Sequence, residues 1–586
     1  VEKDREMEIN EAAQKIKRRL AVARGEEPAA LLLKNAKVVN VFSGEIVEGN
    51  VAIEEGFVAA VGDQYTGGKD TIDLKGKYVA PGLIDAHLHI ESTLLLPPEL
   101  GRLITAHGTT AVINDPHEIA NVFGPDGVKL ILEASRHAIC DFFATVPSSV
   151  PSTDLETAGG AIDSGEVAEL LGYPGVIGLG EMMNYPGVTG GDTEVLKKII
   201  AANEKGKVID GHAPAVSGKG LQAYLSAGVK SDHECITKEE AREKLNSGMK
   251  IIIRHGSATS SLEELLPLIN HANSTSFMFG SDDREAGELL EKGHINEILR
   301  EAVSLGADPL LMIKIATLNA ALHYRLYDRG AVAPGYRADL VVFEDLTDFR
   351  AALVIKNGKV VAQNGKVLEP APSYEPPAWA KDSVQLKRTL QAEDFKLPAP
   401  AEGKMPVIGL VPGQLVTEKL FFEVELAKDG SVAAVPAPGV NKIAVIERHG
   451  KNGRMAVGLI KGTGLEKGAL ASSVAHDSHN LVVTGASEEA MAAAVNALSG
   501  LGGGFIAVDE SGSTIASLPL PLAGLMSLDS AGEVATKMKA VLQAARELGT
   551  TLPQPFLTLS FMALPVIPSL KITDCGLVDV DNFTFL

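Results

Sequence analysis

The stretch "GLIDAHLHIEST", residues 82–93, decides how the chain is read. It starts as an apolar run and ends with His87, His89 and Glu91 on alternate positions. A β-strand turns successive side chains to opposite faces. His87 and His89, with Glu91 next in the series, are therefore expected on one face, and Leu88 and Ile90 on the other. Two imidazoles on one strand face can share a metal ion. A solvated or core pair would need no such spacing, nor the Pro81–Gly82 turn that launches the strand.

Polar strand endings recur through residues 81–329. Strand candidates end at "IDAHLH", "AVINDPHE", "DFFATVPSS", "GVIGLGEMM", "KVIDGHAP", "VKSDHE", "KIIIRHGS" and "FMFGSDDR". Helix candidates such as "DGVKLILEASRHA" and "TEVLKKIIAANEKG" lie between them. Eight βα units over the length of one barrel predict an α/β fold, a (β/α)8 TIM-like barrel, rather than an open doubly wound sheet. Barrel active sites lie at the C-terminal strand ends, which is where the polar residues gather.

Short β-rich pieces with turn residues flank this segment at 31–80 and 330–368. They predict a small split β-sandwich domain into which the barrel is inserted. Residues 1–30 read as a mixed-charge helical extension with no apolar signal-peptide core. The Pro-rich run at 369–383 reads as a linker. Residues 384–586 read as a C-terminal α+β domain with one strong helix, "SEEAMAAAVNALSG".

At 586 residues the chain is too long for a single core. It has no uninterrupted apolar run of spanning length, so no membrane partner is expected. The 54 Lys and Arg against 75 Asp and Glu give a net charge of −21 with His neutral, which argues against a nucleic-acid partner. Three scattered cysteines, Cys140, Cys235 and Cys575, exclude a disulfide framework and fit a reducing cytoplasm. The large apolar third region leads us to expect a homo-oligomer.

The chemistry comes from lining up the strand ends. The first strand offers His87 and His89, the fourth Glu181, the fifth His212, the sixth His233, and the eighth Asp282 followed by Asp283. Any one of these could be a helix cap or a core hydrogen bonder. Four histidines and two carboxylates at one barrel mouth instead form a ligand set for two divalent cations that activate water. His-x-Glu at 89–91 also mimics half of the zinc nucleobase deaminase signature, but no Cys-x-x-Cys follows, so that fold is excluded.

These residues resemble the amidohydrolase superfamily over residues 31–368. The finer motifs "PGLIDAHLHIEST", "GEMMNYPGV", "DGHAP", "SDHE" and "GSDDR" are similar to those of the adenine deaminases. "SSVAHDSHNLVV" and "LKITDCGLVDV" resemble that family's C-terminal domain. The resemblance implies hydrolysis of adenine, as small-molecule substrate, to hypoxanthine and ammonia at a binuclear centre holding Fe or Mn rather than Zn. It implies that His87, His89 and Asp282 hold one metal and His212 and His233 the other, with Glu181 bridging. The fourth strand has no lysine to be carboxylated, which points away from ring-opening relatives. An amidohydrolase acting on another purine or a cyclic amide is the alternative enzymatic reading, and a non-enzymatic scaffold would be expected to have lost its ligands.

Deamination needs a base and an acid. Asp282 is the expected base, and Glu234 the acid for the ring nitrogen beside C6, provided the chain turns after His233. Glu91 is the competing acid. Glu91, Ser92, Asp115, His117, Asp283 and Arg284 are candidate substrate contacts. Asp115 and His117 could contact the purine or a metal and equally suit a helix start after Pro116, and Arg284 a pairing with Asp283. His476 and His479 have metal-like spacing but are expected to be ordinary domain structure or a closing loop.

Overall fold

In the computed structural model, the described residues are 2–586 except 258, 369, 371–373 and 401–402. Eight parallel strands form the barrel: Leu83–Leu88, Thr109–Asn114, Asp141–Val146, Val176–Met182, Val208–Gly211, Ser231–Asp232, Lys250–Arg254 and Phe277–Gly280. The first five and the last three each form a continuous parallel sheet. Lys230 N–H donates to Ile209 O at 3.0 Å across one seam, and Asp282 N–H to His87 O at 2.9 Å across the other. "TTAVIN" and "LIDAHL" are buried along their whole length, as strands covered on both faces must be. Ile84, Ala86, Ala111, Ile113, Val208, Ile252 and Met278 fill one interior cluster.

The split β unit hydrogen-bonds as a single nine-stranded mixed sheet drawn from residues before and after the barrel. Its long strand Ala29–Asn40 pairs with Glu45–Glu54 on one side and with Gly68–Asp73 and Tyr78–Pro81 on the other. That strand buries residues on both faces: Leu31 and Leu33 belong to one apolar cluster and Leu32 to another. The N-terminal helix Glu2–Ala23 lies against this unit. Arg18 pairs with Glu55, and the Arg19 guanidinium sits 4.1 Å over the Phe57 ring.

Part of the expected linker lies outside the described residues. Farther along, Ala378–Lys381 forms a 3-10 turn whose Ala380 is buried in the core shared by barrel and C-terminal unit.

The C-terminal unit holds an eight-stranded sheet. Along Val440–Ile446, Ala444 and Ile446 pack towards helix Glu488–Gly500, while Ile443 and Val445 face the other way. This second face packs with helices Ala531–Glu547 and Pro555–Met562 and, in the same cluster, with Leu88, Ile90, Leu94 and Leu95 of the barrel. The sheet's period-two alternation thus uses one face for its own helix and the other to cover the barrel mouth. No helix among the described residues is long and apolar enough to cross a membrane.

Candidate active site

The strand ends converge as the sequence pattern requires. His89 Nε2 lies 3.1 Å from Asp282 Oδ1 and 3.4 Å from Glu181 Oε1, and His87 Nε2 lies 3.5 Å from Asp282 Oδ1. On the far side, His212 Nδ1 is 2.7 Å and His233 Nε2 3.2 Å from Glu181 Oε2. The two oxygens of Glu181 therefore face two different histidine groups. Nearly all of these side chains are buried; only His212 is partly exposed.

Several structural choices hold Glu181 in place. Its backbone N–H donates to Asp115 Oδ2 at 2.8 Å, and its carbonyl accepts from Ser148 Oγ. The preceding residue must be glycine: a Cβ at Gly180 would lie 2.1 Å from Asp115 Oδ2. Asp115 is therefore a support for the fourth strand rather than the cap of helix His117–Phe123, whose start has no side-chain cap.

The charges are tightly balanced. Burial would raise the Glu181 carboxyl, but hydrogen bonds from His117, His212 and His233 outweigh it and hold the group well below the usual range. Burial opposes ionised Asp282 too, and the Arg254 guanidinium, with His87 and His89, more than reverses that. Burial likewise disfavours a protonated His233, yet Glu181, Asp282 and Glu234 lift it to about 9. A buried, carboxylate-rich site that draws protons onto its histidines suits divalent cations, whose charge would take the place of those protons. The buried His87 Nε2 has no hydrogen-bond partner among the described residues, and His87, His89 and Glu181, like Glu181, His212 and His233, present donor atoms close enough to share an ion.

The remaining candidates separate. The sixth strand stops at Asp232, and Glu234 N–H turns back onto Asp232 Oδ2 at 3.2 Å. This brings Glu234 Oε1 to 3.5 Å from His233 Nε2, so the required turn is present. Arg254, at the end of the seventh strand, binds Glu234 and also Asp282 Oδ2, the latter at 2.7 Å. Sequence reasoning missed Arg254; its only signal was a cation at the end of the apolar run "III", residues 251–253.

Glu91 does not continue the strand. The chain enters a 3-10 turn at Ile90–Thr93, and Glu91 accepts from Ile119 N–H at 3.0 Å instead of sharing the histidine face. Burial pushes its carboxyl up to about 7. Arg284 does not pair with Asp283. It binds Glu297 and donates to His255 O at 2.8 Å.

Glu91, Ser92, Asp283 and Arg284 line one pocket over the barrel mouth, whereas Asp115 and His117 lie outside it. His117 instead stands 3.1 Å from Glu181 Oε1. The C-terminal unit supplies the opposite wall, including Val474, His476, Phe505 and Phe556. His476 and His479 are more than internal structure of that unit: both clasp Glu118, with His476 Nδ1 at 2.6 Å from Glu118 Oε1 and His479 Nε2 on Oε2.

A βα barrel carrying His-x-His on its first strand, single histidines after the fifth and sixth and an aspartate after the eighth is an amidohydrolase, and residues 78–361 match the Amidohydrolase family. Residues 414–584 match the Adenine deaminase C-terminal domain. The chain is 48% identical over 567 residues to an adenine deaminase of Desulfatibacillum aliphaticivorans, covering 97% of this chain and 98% of that one. It is 48% identical to adenine deaminase 2 of Carboxydothermus hydrogenoformans, with the same coverage, and 46% identical to an adenine deaminase of Dehalococcoides mccartyi. The chain belongs to the adenine deaminase family.

Proposed function

We propose that this chain hydrolyses adenine to hypoxanthine and ammonia at the barrel mouth. The observation that carries the reading is the gathering of His87, His89, Glu181, His212, His233 and Asp282 at the strand ends, next to a pocket lined by the neighbouring Ser92 and Asp283 and walled by the adenine-deaminase-type C-terminal unit. His87, His89 and Asp282 would hold one divalent ion and His212 and His233 a second, with Glu181 between them. The nitrogen-and-oxygen donor set suits Zn, Fe or Mn alike; the resemblance to the adenine deaminases makes Fe or Mn our choice. Such ions supply Lewis acidity and a hydroxide nucleophile near neutral pH.

The protein's own groups do the rest. Asp282 takes the proton from the attacking water and passes it to the departing amine. Glu234 protonates N1, so that negative charge does not build up on the ring as C6 becomes tetrahedral. Arg254, bonded to both carboxylates, fixes their separation. Ser92 and Asp283 are hydrogen-bonded to each other and face the substrate from the side of the first and eighth strands. Glu91 and Arg284 shape the same wall.

We place the enzyme in the cytoplasm as a homo-oligomer with neither nucleic-acid nor membrane partners. Its three unpaired cysteines and net charge of −21 support that placement. The test is direct: metal-stripped protein is reloaded with Mn(II) or Fe(II), and ammonia and the fall in adenine absorbance are followed. Turnover should appear with about two ions per chain. Reloaded protein that leaves adenine intact while opening a cyclic amide would overturn the reading.

A further inference from the structure

The segment "VAHDSH", residues 474–479, belongs to the C-terminal unit yet reaches the barrel mouth. Its two histidines are used differently. His479 has both nitrogens occupied: Nδ1 accepts Ala475 N–H at 3.2 Å, and Nε2 meets Glu118. His476 commits only Nδ1 to Glu118, and Nε2 has no protein partner among the described residues. The ring cannot swing freely, because Phe561 stacks on it with centroids 4.8 Å apart at 28°. Phe561 lies outside the pocket that His476 lines, so it backs the imidazole from behind. A carboxylate on Nδ1 also keeps a hydrogen on that atom; burial opposes a second proton on the ring, but Glu118, with smaller help from Asp283 and Asp477, outweighs it and favours one on Nε2.

We propose that the C-terminal unit reads the substrate directly, the Nε2–H of His476 donating a hydrogen bond to N7 of the purine. The assignment rests on the adenine reading of the site and adds a recognition residue to it. Glu118 opens the helix after the second barrel strand, and Glu234 follows the sixth. Second and sixth strands stand across an eight-stranded barrel from one another. With C6 over the metal-ligand cluster and N1 turned to Glu234, the other flank of C6 presents the exocyclic amine and N7. That edge of adenine offers a hydrogen-bond donor beside an acceptor. Asp283, whose Oδ1 is taken by Ser92, supplies the acceptor for the amine, and His476 supplies the donor for N7. Glu118 and His479 are then positioning residues for His476.

The experiment compares adenine, 7-deazaadenine and 3-deazaadenine on metal-loaded wild type and H476A, by kcat/KM and by equilibrium binding. Wild type should lose about 10- to 100-fold on replacing N7 by CH, and less on replacing N3. H476A should lose a similar factor on adenine and almost nothing further on 7-deazaadenine. Equal losses by H476A on both bases would overturn the contact, as would a wild type indifferent to N7. The wild-type comparison decides the matter if H476A does not fold. If wild type releases no ammonia from adenine, the functional reading fails, and the binding series still judges the contact. Binding of none of the three bases would overturn both.

Discussion

Glu181 and Glu234 stand close together, yet they should respond differently to the same change. Glu181→Gln removes the charge shared by the two histidine groups, so metal content and turnover should fall together. Elemental analysis showing wild-type occupancy in that variant would sink the bridging role. Glu234→Gln should keep its metal and lose about 10²- to 10⁴-fold in kcat, the usual worth of a positioned acid; near-normal kcat would remove it from the mechanism. Both residues were visible in the sequence because strand ends can be read from apolar runs. Only the placing of Glu91 on the histidine face does not hold: period-two logic lasts only as long as the strand, and the strand stops at Leu88. Arg254 went unassigned because its partners, Glu234 and Asp282, lie 20 and 28 residues away and meet it only in the folded barrel.

At the scale of elements, the fourth strand carries a tight constraint. Gly180→Ala would drive a methyl group into Asp115 and deprive Glu181 N–H of its acceptor. We expect a loss of about 1–3 kcal/mol in stability, with reduced metal binding, measured by denaturant titration and metal analysis. An unchanged variant would show that Asp115 is not the support. The eight barrel strands were legible from their endings even where, as at Ser231–Asp232, only two residues pair. In the C-terminal unit the sequence reading found helix Glu488–Gly500 but not the longer Ala531–Glu547. The missed signal was local: Ser530 and Glu533 form a capping box. Ser530→Ala should cost about 1 kcal/mol, seen as a lower melting temperature. The covering of the barrel by this unit was not legible, because the alternating strands have two apolar faces and nothing local says what the second one meets.

The whole molecule should behave as one cooperative body. A single apolar cluster runs from Leu88, Ile90 and Leu100 of the barrel to Leu518, Val541 and Phe561 of the C-terminal unit. Calorimetry should therefore show one unfolding transition for both, and two well-separated transitions would contradict a shared core. The Glu118 clasp makes this union pH-dependent. Burial disfavours protonated His476, but Glu118 prevails and raises the group from 6.5 to about 9. A raised folded value means that the stabilisation is complete below about pH 6.5 and drains away as pH climbs through about 9. The melting-temperature gap between wild type and Glu118→Gln should accordingly be widest near about pH 6 and narrow by about pH 9.5. A gap that stays constant would show that the clasp carries no charge.

The seam that closes the barrel has a consequence in time. Asp282 N–H donates to His87 O, and His89 N–H returns a bond to Asp282 O at 3.3 Å. The backbone bonds that shut the ring are thus made by residues whose side chains build the site. A growing chain on the ribosome holds its first two histidines early; Asp115, Glu181 and His233 emerge to meet them in turn, and Asp282, which both histidines approach, comes last. The roof that would hold a purine, with His476 and His479, arrives almost 200 residues later still. Synthesis itself therefore orders the parts: the residues that would hold the ions are all present before the roof that would hold a base, while the shared core that joins the two is completed only with the C-terminal unit.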